Sequence, residues 1–179
     1  MTGRRFGRLA WRLAEQLAGV LVRVATAATR RPTRSRPGTT PRAPAAVAGP
    51  AAGDDVGYSP RDDGRPDPGE VVWAWVPFDE GDGRGKDRPV LVIGRRGTDL
   101  LALMLTSKDH DRDAADEARF GRVWTDIGSG PWDASNRPSE VRLDRLLVLD
   151  PNRVRREGAA LDRARFDRVV TEARRVQGW

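Results

Sequence analysis

The stretch GKDRPVLVIG, residues 85–94, passes from a charged, glycine-bearing segment directly into an apolar run. RPVLVIG (88–94) has the length and the β-branched content of a buried strand. Arg88 precedes Pro89, and a proline restricts the residue before it to extended backbone. A long cation is thereby held at the mouth of a buried strand, and the surrounding sequence must say why.

On the N-terminal side, EVVWAWVPF (70–78) is rich in β-branched and aromatic residues and reads as another strand. Between the two, DEGDGRGKD (79–87) is polar, carries three glycines and reads as a mobile loop. After a turn at RRGTD, LLALMLT (100–106) is a third strand. VWTDI (123–127) is a fourth, followed by the Gly/Pro/Asn loop GSGPWDASNRP. SEVRLDRLLVL (139–149) is a fifth, stopped by Asp150-Pro151. Asp162 is placed to cap a final helix with Phe166, Val169, Val170, Ala173 and Val176 on one face. Continuous apolar runs imply strands covered on both faces. The expected fold class is mainly β with a C-terminal helix, forming a small barrel or rolled sheet.

The first part of the chain differs. In residues 4–28, Phe6, Leu9, Leu13, Leu17, Val20 and Val24 recur every three or four positions, with Arg5, Arg8, Arg12, Glu15 and Arg23 on the other side. This spacing predicts a basic amphipathic helix over 1–29, suited to weak contact with a membrane surface or to a partner. Arg12 and Glu15 interrupt the apolar run, which argues against a signal peptide or a spanning helix. Residues 30–67, rich in Pro, Arg, Ala, Gly and Asp, read as a disordered linker. The folded domain is expected over 68–179.

The 179 residues carry a net charge of +6. Residues 1–68 hold 12 Arg against 6 acids, so residues 69–179 are formally neutral. Nucleic-acid binding by the main domain must therefore rest on a local cluster. The absence of cysteine excludes disulfides, thiolate zinc sites and a cysteine nucleophile, and fits a reducing cytoplasm. The single histidine, His110, excludes a two-histidine acid–base pair within one chain.

Three pieces in order, PGEVVWAWVPF, GKDRPVLVIG and LLALMLTSKD, together with the later SEVRLDR, resemble the MazF/PemK (Kid) family, the toxins of type II toxin–antitoxin modules. The resemblance covers about residues 68–177. It implies an SH3-like barrel, a homodimer with an RNA groove near its interface, and sequence-selective cleavage of single-stranded RNA, mRNA above all. It implies neither metal nor cofactor, and a cognate antitoxin as protein partner.

The residues can be set against that chemistry. In metal-free RNA cleavage the 2′-OH attacks the adjacent phosphate, and extra negative charge on the phosphoryl group must be stabilised. A guanidinium suits this, being planar, bidentate and permanently charged. Arg88 takes this role, with general-acid action implied by the family. Thr106 aligns with the family's second catalytic position, and its hydroxyl can bond a phosphate oxygen or the 2′-OH. Arg142 and Asp144 match an Arg-x-Asp pair of the Kid branch. Two apart on a strand, they share a face, either as anion binder and base or as a solvated ion pair. Glu140 shares that face and is a further candidate RNA contact, or else is simply exposed. Lys86, Ser107 and Lys108 are candidate RNA contacts. Trp132 either stacks a base or folds back to cap the barrel.

The segment 107–122 starts like a calcium loop at Asp109, Asp111 and Asp113. It has Ala114 and Phe120 where glycine and glutamate are required, so it reads as a solvated acidic connection containing His110. No nucleophile elbow or P-loop is present. Two rival readings are a non-catalytic barrel that binds a partner, as the related gyrase poison CcdB does, and a membrane-associated regulator working through the N-terminal helix. The cleavage motif lies in loop shapes that the sequence does not expose.

Overall fold

The computed structural model describes residues 45–110, 114–155 and 159–179. The predicted N-terminal helix and the linker as far as residue 44 lie outside the described residues. Seven strands follow in order: β1 (Ala46–Ala48), β2 (Asp55–Val56), β3 (Val71–Pro77), β4 (Gly85–Arg96), β5 (Asp99–Thr106), β6 (Trp124–Gly128) and β7 (Ser139–Leu149). Helix α1 (Ala114–Arg119) lies between β5 and β6, and α2 (Arg163–Gln177) ends the chain. All pairings are antiparallel, in the order β1-β7-β5-β4-β2, with β3 added on β4 and β6 on β7. The expected mainly-β domain with a C-terminal helix is present. Among the described residues the ladder does not close, however: the only strand that β3 pairs with is β4, its other edge carrying an isolated bridge from Trp73 to Arg155, and β6 pairs with β7 alone.

The apolar runs bury both faces of the sheet, as their composition requires. Leu91, Ile93, Leu101, Leu103, Leu105, Val141 and Leu143 face α2, which inserts Phe166, Val169, Val170 and Ala173. Alternate residues Val72, Ala74, Val76, Val90, Val92, Leu100 and Ala102 form a second cluster on the opposite face. The α2 cap is as expected: the Asp162 side chain accepts from the Arg165 N–H at 3.0 Å.

Two stretches differ from expectation. The 79–87 segment is not a loop throughout, since Gly85, Lys86 and Asp87 already pair with β3 as the start of β4. Residues 46–48 and 55–56, assigned to the linker, are strands on β7 and β4. Backbone pairing and tertiary contacts hold this segment, not its own propensity. The Tyr58 hydroxyl donates to the Leu161 carbonyl at 2.8 Å, and its ring meets Phe166 edge-on at 5.1 Å. A side chain on Gly94 would overlap the β2 backbone at Asp55, so glycine is what lets β2 approach β4.

Candidate active site

Arg88 sits on β4 opposite Ala74 of β3. Pro89, which has no N–H to donate, falls where pairing with β5 stops, Val90 being the last residue of β4 registered with β5. Continuing that register by two residues sets Arg88 across from Thr106, the last residue of β5. Thr106 in turn pairs with Glu140 of β7. Paired residues of an antiparallel ladder share a face. Arg88, Thr106, Glu140, Arg142 and Asp144 therefore occupy the end of the face that carries the second apolar cluster.

Two clefts of about 410 Å³ each open here, and Arg88, Thr106 and Lys108 line both. One cleft adds Lys86, Ser107 and the edge of Trp132. The other adds Asp79, His110, Trp124, Arg122, Arg142 and Arg145. Of the sequence-predicted residues, Arg88, Thr106 and Lys108 line both clefts, Lys86 and Ser107 one, and Arg142 the other. Among the described residues the side chains of Arg88 and Lys86 make no hydrogen bond or ion pair. The Thr106 hydroxyl accepts from the Lys108 N–H at 3.1 Å, which tightens the strand end and leaves its own proton for donation. A larger groove of about 960 Å³ lies between the 55–68 segment and Arg95, and it holds none of the expected site residues.

Arg142 and Asp144 are bonded to each other. Arg142 donates to both Asp144 oxygens at 2.9–3.1 Å, and Asp144 also accepts from the Val123 N–H at 2.9 Å. Asp144 lines neither cleft, so it orients Arg142 instead of facing a substrate. Arg142, 7% exposed, reaches on to Asp79 at 2.9 Å. Arg145 and Arg122 reach the same carboxylate at 3.1 Å each. Burial works against the charged form of Asp79, but the N–H groups of Arg142 and the charges of Arg142, Arg145 and Arg122 outweigh it and hold the carboxyl below its ordinary value. Three guanidiniums thus converge on one anion.

Arg145 owes its place to an irregularity in β7. Leu143 and Leu146 both enter the cluster beneath α2, although residues three apart on a regular strand face opposite sides. The register of β5 on β7 shifts between Leu103 and Leu105 across this region, and the re-phased chain sets Arg145 beside Arg142.

His110 corrects the sequence reading, and Trp132 takes the second of its two alternatives. His110 is 8% exposed and not part of a solvated connection, while residues 114–119 of that connection form α1. Its Nδ1 lies 2.8 Å from Glu140 Oε2, its backbone N–H donates to Glu140 Oε1 at 3.1 Å, and its ring stacks on Trp124 with centroids 4.2 Å apart. Glu140 is therefore turned toward His110 and is not a free RNA contact. Trp132 is buried in the core beneath α2, its indole N–H donating to Ser139 Oγ at 3.2 Å, so its ring is not offered to a base. A side chain on Gly130 would overlap that ring, so the loop glycine makes its bed. No sequence signal pointed to Asp79, Arg122 or Arg145, which meet only through tertiary placement.

Residues 67–176 match the family of PemK-like, MazF-like toxins of type II toxin–antitoxin systems. The chain belongs to that family. No curated protein matches its sequence.

Proposed function

We propose that this chain is a toxin-type endoribonuclease that cuts single-stranded RNA, mRNA in particular, by internal attack of the 2′-hydroxyl and without a metal. The observation that carries the proposal is that Arg88, its side chain without a hydrogen bond or ion pair among the described residues, lines both clefts together with Thr106. A partly desolvated guanidinium without a counter-charge is ready to receive a phosphate, and its fork spreads charge over two phosphoryl oxygens as the transition state forms. The Thr106 hydroxyl donates to a third oxygen or to the 2′-oxygen. Arg142, aimed by Asp144, adds positive potential at the same end of the sheet. Lys86, Ser107 and Lys108 line the second cleft, where the flanking RNA backbone runs. Family membership supports an antitoxin that covers these clefts, and a homodimer of SH3-like domains acting in the cytoplasm.

The test is cleavage of a long mixed-sequence RNA in EDTA by wild type, Arg88→Ala and Thr106→Val. Discrete cuts by wild type, with a loss of about 10²–10³-fold in folded Arg88→Ala, are expected. A wild type that leaves RNA intact, or variants that cut equally well, would overturn the proposal in favour of a non-catalytic binding barrel.

A further inference from the structure

We infer that His110, held by Glu140, takes the 2′-hydroxyl proton from RNA bound in the cleft. This rests on the ribonuclease reading above and adds a group that neither the family resemblance nor the motif order assigned. A carboxylate only accepts, so in the neutral ring Nδ1, 2.8 Å from Glu140 Oε2, carries the proton and Nε2 keeps the lone pair. Nε2 has no partner among the described residues. Glu140 also fixes the backbone of residue 110, and Trp124 fixes the plane of the ring. Position and tautomer are thus both set, as for an imidazole that works as a base. Thr106 is the ladder partner of Glu140, so the histidine and the Thr106 hydroxyl hang from one rung of the sheet. His110 lines the same cleft as Arg88 and Thr106.

The 2′-oxygen bonds to phosphorus while its proton passes to Nε2. The bond from phosphorus to the 5′-oxygen breaks, the leaving oxygen takes a proton from water, and the proton on Nε2 neutralises the hydroxide so formed, which restores the neutral ring. The products are a 2′,3′-cyclic phosphate and a 5′-hydroxyl. Glu140 acts as a positioning residue and stabilises the imidazolium that forms. Among the described residues, charged groups near the ring include Glu117 of α1 with Arg122 paired to it, Arg142 over Trp124, and Lys108 and Asp109 of its own segment.

The experiment is the pH dependence of RNA cleavage in EDTA for wild type, His110→Gln and Glu140→Gln, with folding checked by thermal melting. Wild type is expected to show an activity limb that rises with pH and depends on His110. His110→Gln should cut at least about 10²-fold more slowly and lack that limb. Glu140→Gln should keep the limb and move it to lower pH, because the charge that favours the imidazolium is gone. Should His110→Gln fail to fold, the Glu140→Gln shift decides, together with restoration of His110→Ala by added imidazole. Cleavage by folded His110→Gln with the wild-type rate and limb would overturn the inference while leaving the ribonuclease reading standing. A histidine-dependent limb that falls with pH would overturn the direction of transfer. A wild type that cuts no RNA would remove both.

Discussion

Arg142 is tied to Asp144, two residues further along β7, by three N–H···O contacts of 2.9–3.1 Å. The pair sits at the end of a sheet face, with Arg142 buried, so its geometry is fixed by the strand and not by flexible side chains. Removing Asp144 leaves a buried guanidinium with only Asp79 as counter-charge. Asp144→Ala should therefore destabilise the domain in urea unfolding, by less than the roughly 3–5 kcal/mol of a buried pair broken outright. RNA cleavage should fall in the same variant, because Arg142 loses its aim. Unchanged stability would show the pair to be a surface ornament.

Acid should weaken the site before it weakens the core. Asp79 is held below its ordinary value, burial opposing and the three arginines prevailing. Glu117 is held below its own value against burial by the Trp124 N–H, then by the Arg122, His110 and Lys108 charges. A carboxyl lowered in the folded state is protonated first in the unfolded chain. Its stabilisation is present above the unfolded value, about 4, and is lost as pH falls through the folded value. Thermal melting should show Tm declining from about pH 5 downward, and Asp79→Asn should flatten that decline. Parallel curves for the two proteins would remove Asp79 from the account.

The segment ahead of β3 belongs to the folded domain. Tyr58 bonds the Leu161 carbonyl and packs on Phe166, so it clamps that segment to the start of α2. Tyr58→Ala should cost about 2–3 kcal/mol, toward the low end for aromatic truncation because the ring is half-buried. Tyr58→Phe should cost about 1 kcal/mol, the worth of the lost hydrogen bond. Equilibrium denaturation measures both, and an unaffected Tyr58→Ala would mean the segment is merely draped.

Trp132 gives a contrast between folding and binding. Its ring lies in the core, so Trp132→Ala should cost about 3–5 kcal/mol. Any RNA affinity lost should follow the loss of folded protein. A stable Trp132→Ala with weakened RNA binding would return this residue to the interface.

Much of this was legible in the sequence, for identifiable reasons. The β3, β4, β5 and β7 runs are continuous in β-branched and aliphatic residues, and that pattern survives without any partner. The α2 helix shows both its cap at Asp162 and its apolar face. Arg88 could be singled out from the Pro89 that follows it and Thr106 from the end of the β5 run, whereas the start of β4 at Gly85 was hidden by its glycine and charges. β1 and β2 were not: with three and two residues among Pro, Gly and Asp, they exist by pairing with edges that β7 and β4 offer. The carboxylate–arginine cluster was not legible either. Asp79 lies 63 positions from Arg142, and Arg145 reaches it only because β7 slips its phase. His110 was misread because an acidic neighbourhood in sequence says nothing of the glutamate that the sheet brings from 30 positions away.

The cluster around Asp79 has a consequence for the ionic-strength response of the protein. Four arginines line that cleft, yet Arg122, Arg142 and Arg145 already hold an internal carboxylate. A phosphate taking that seat exchanges with Asp79 and expels no salt ion from those three side chains. Only cations without such a tenant, Arg88 and Lys86 among them, shed counterions to the solution. Each such phosphate contact adds about −0.7 to the slope of log affinity against log salt for a single strand. RNA binding should thus depend on salt less steeply than the arginines in the cleft would imply, and Asp79→Asn should steepen it.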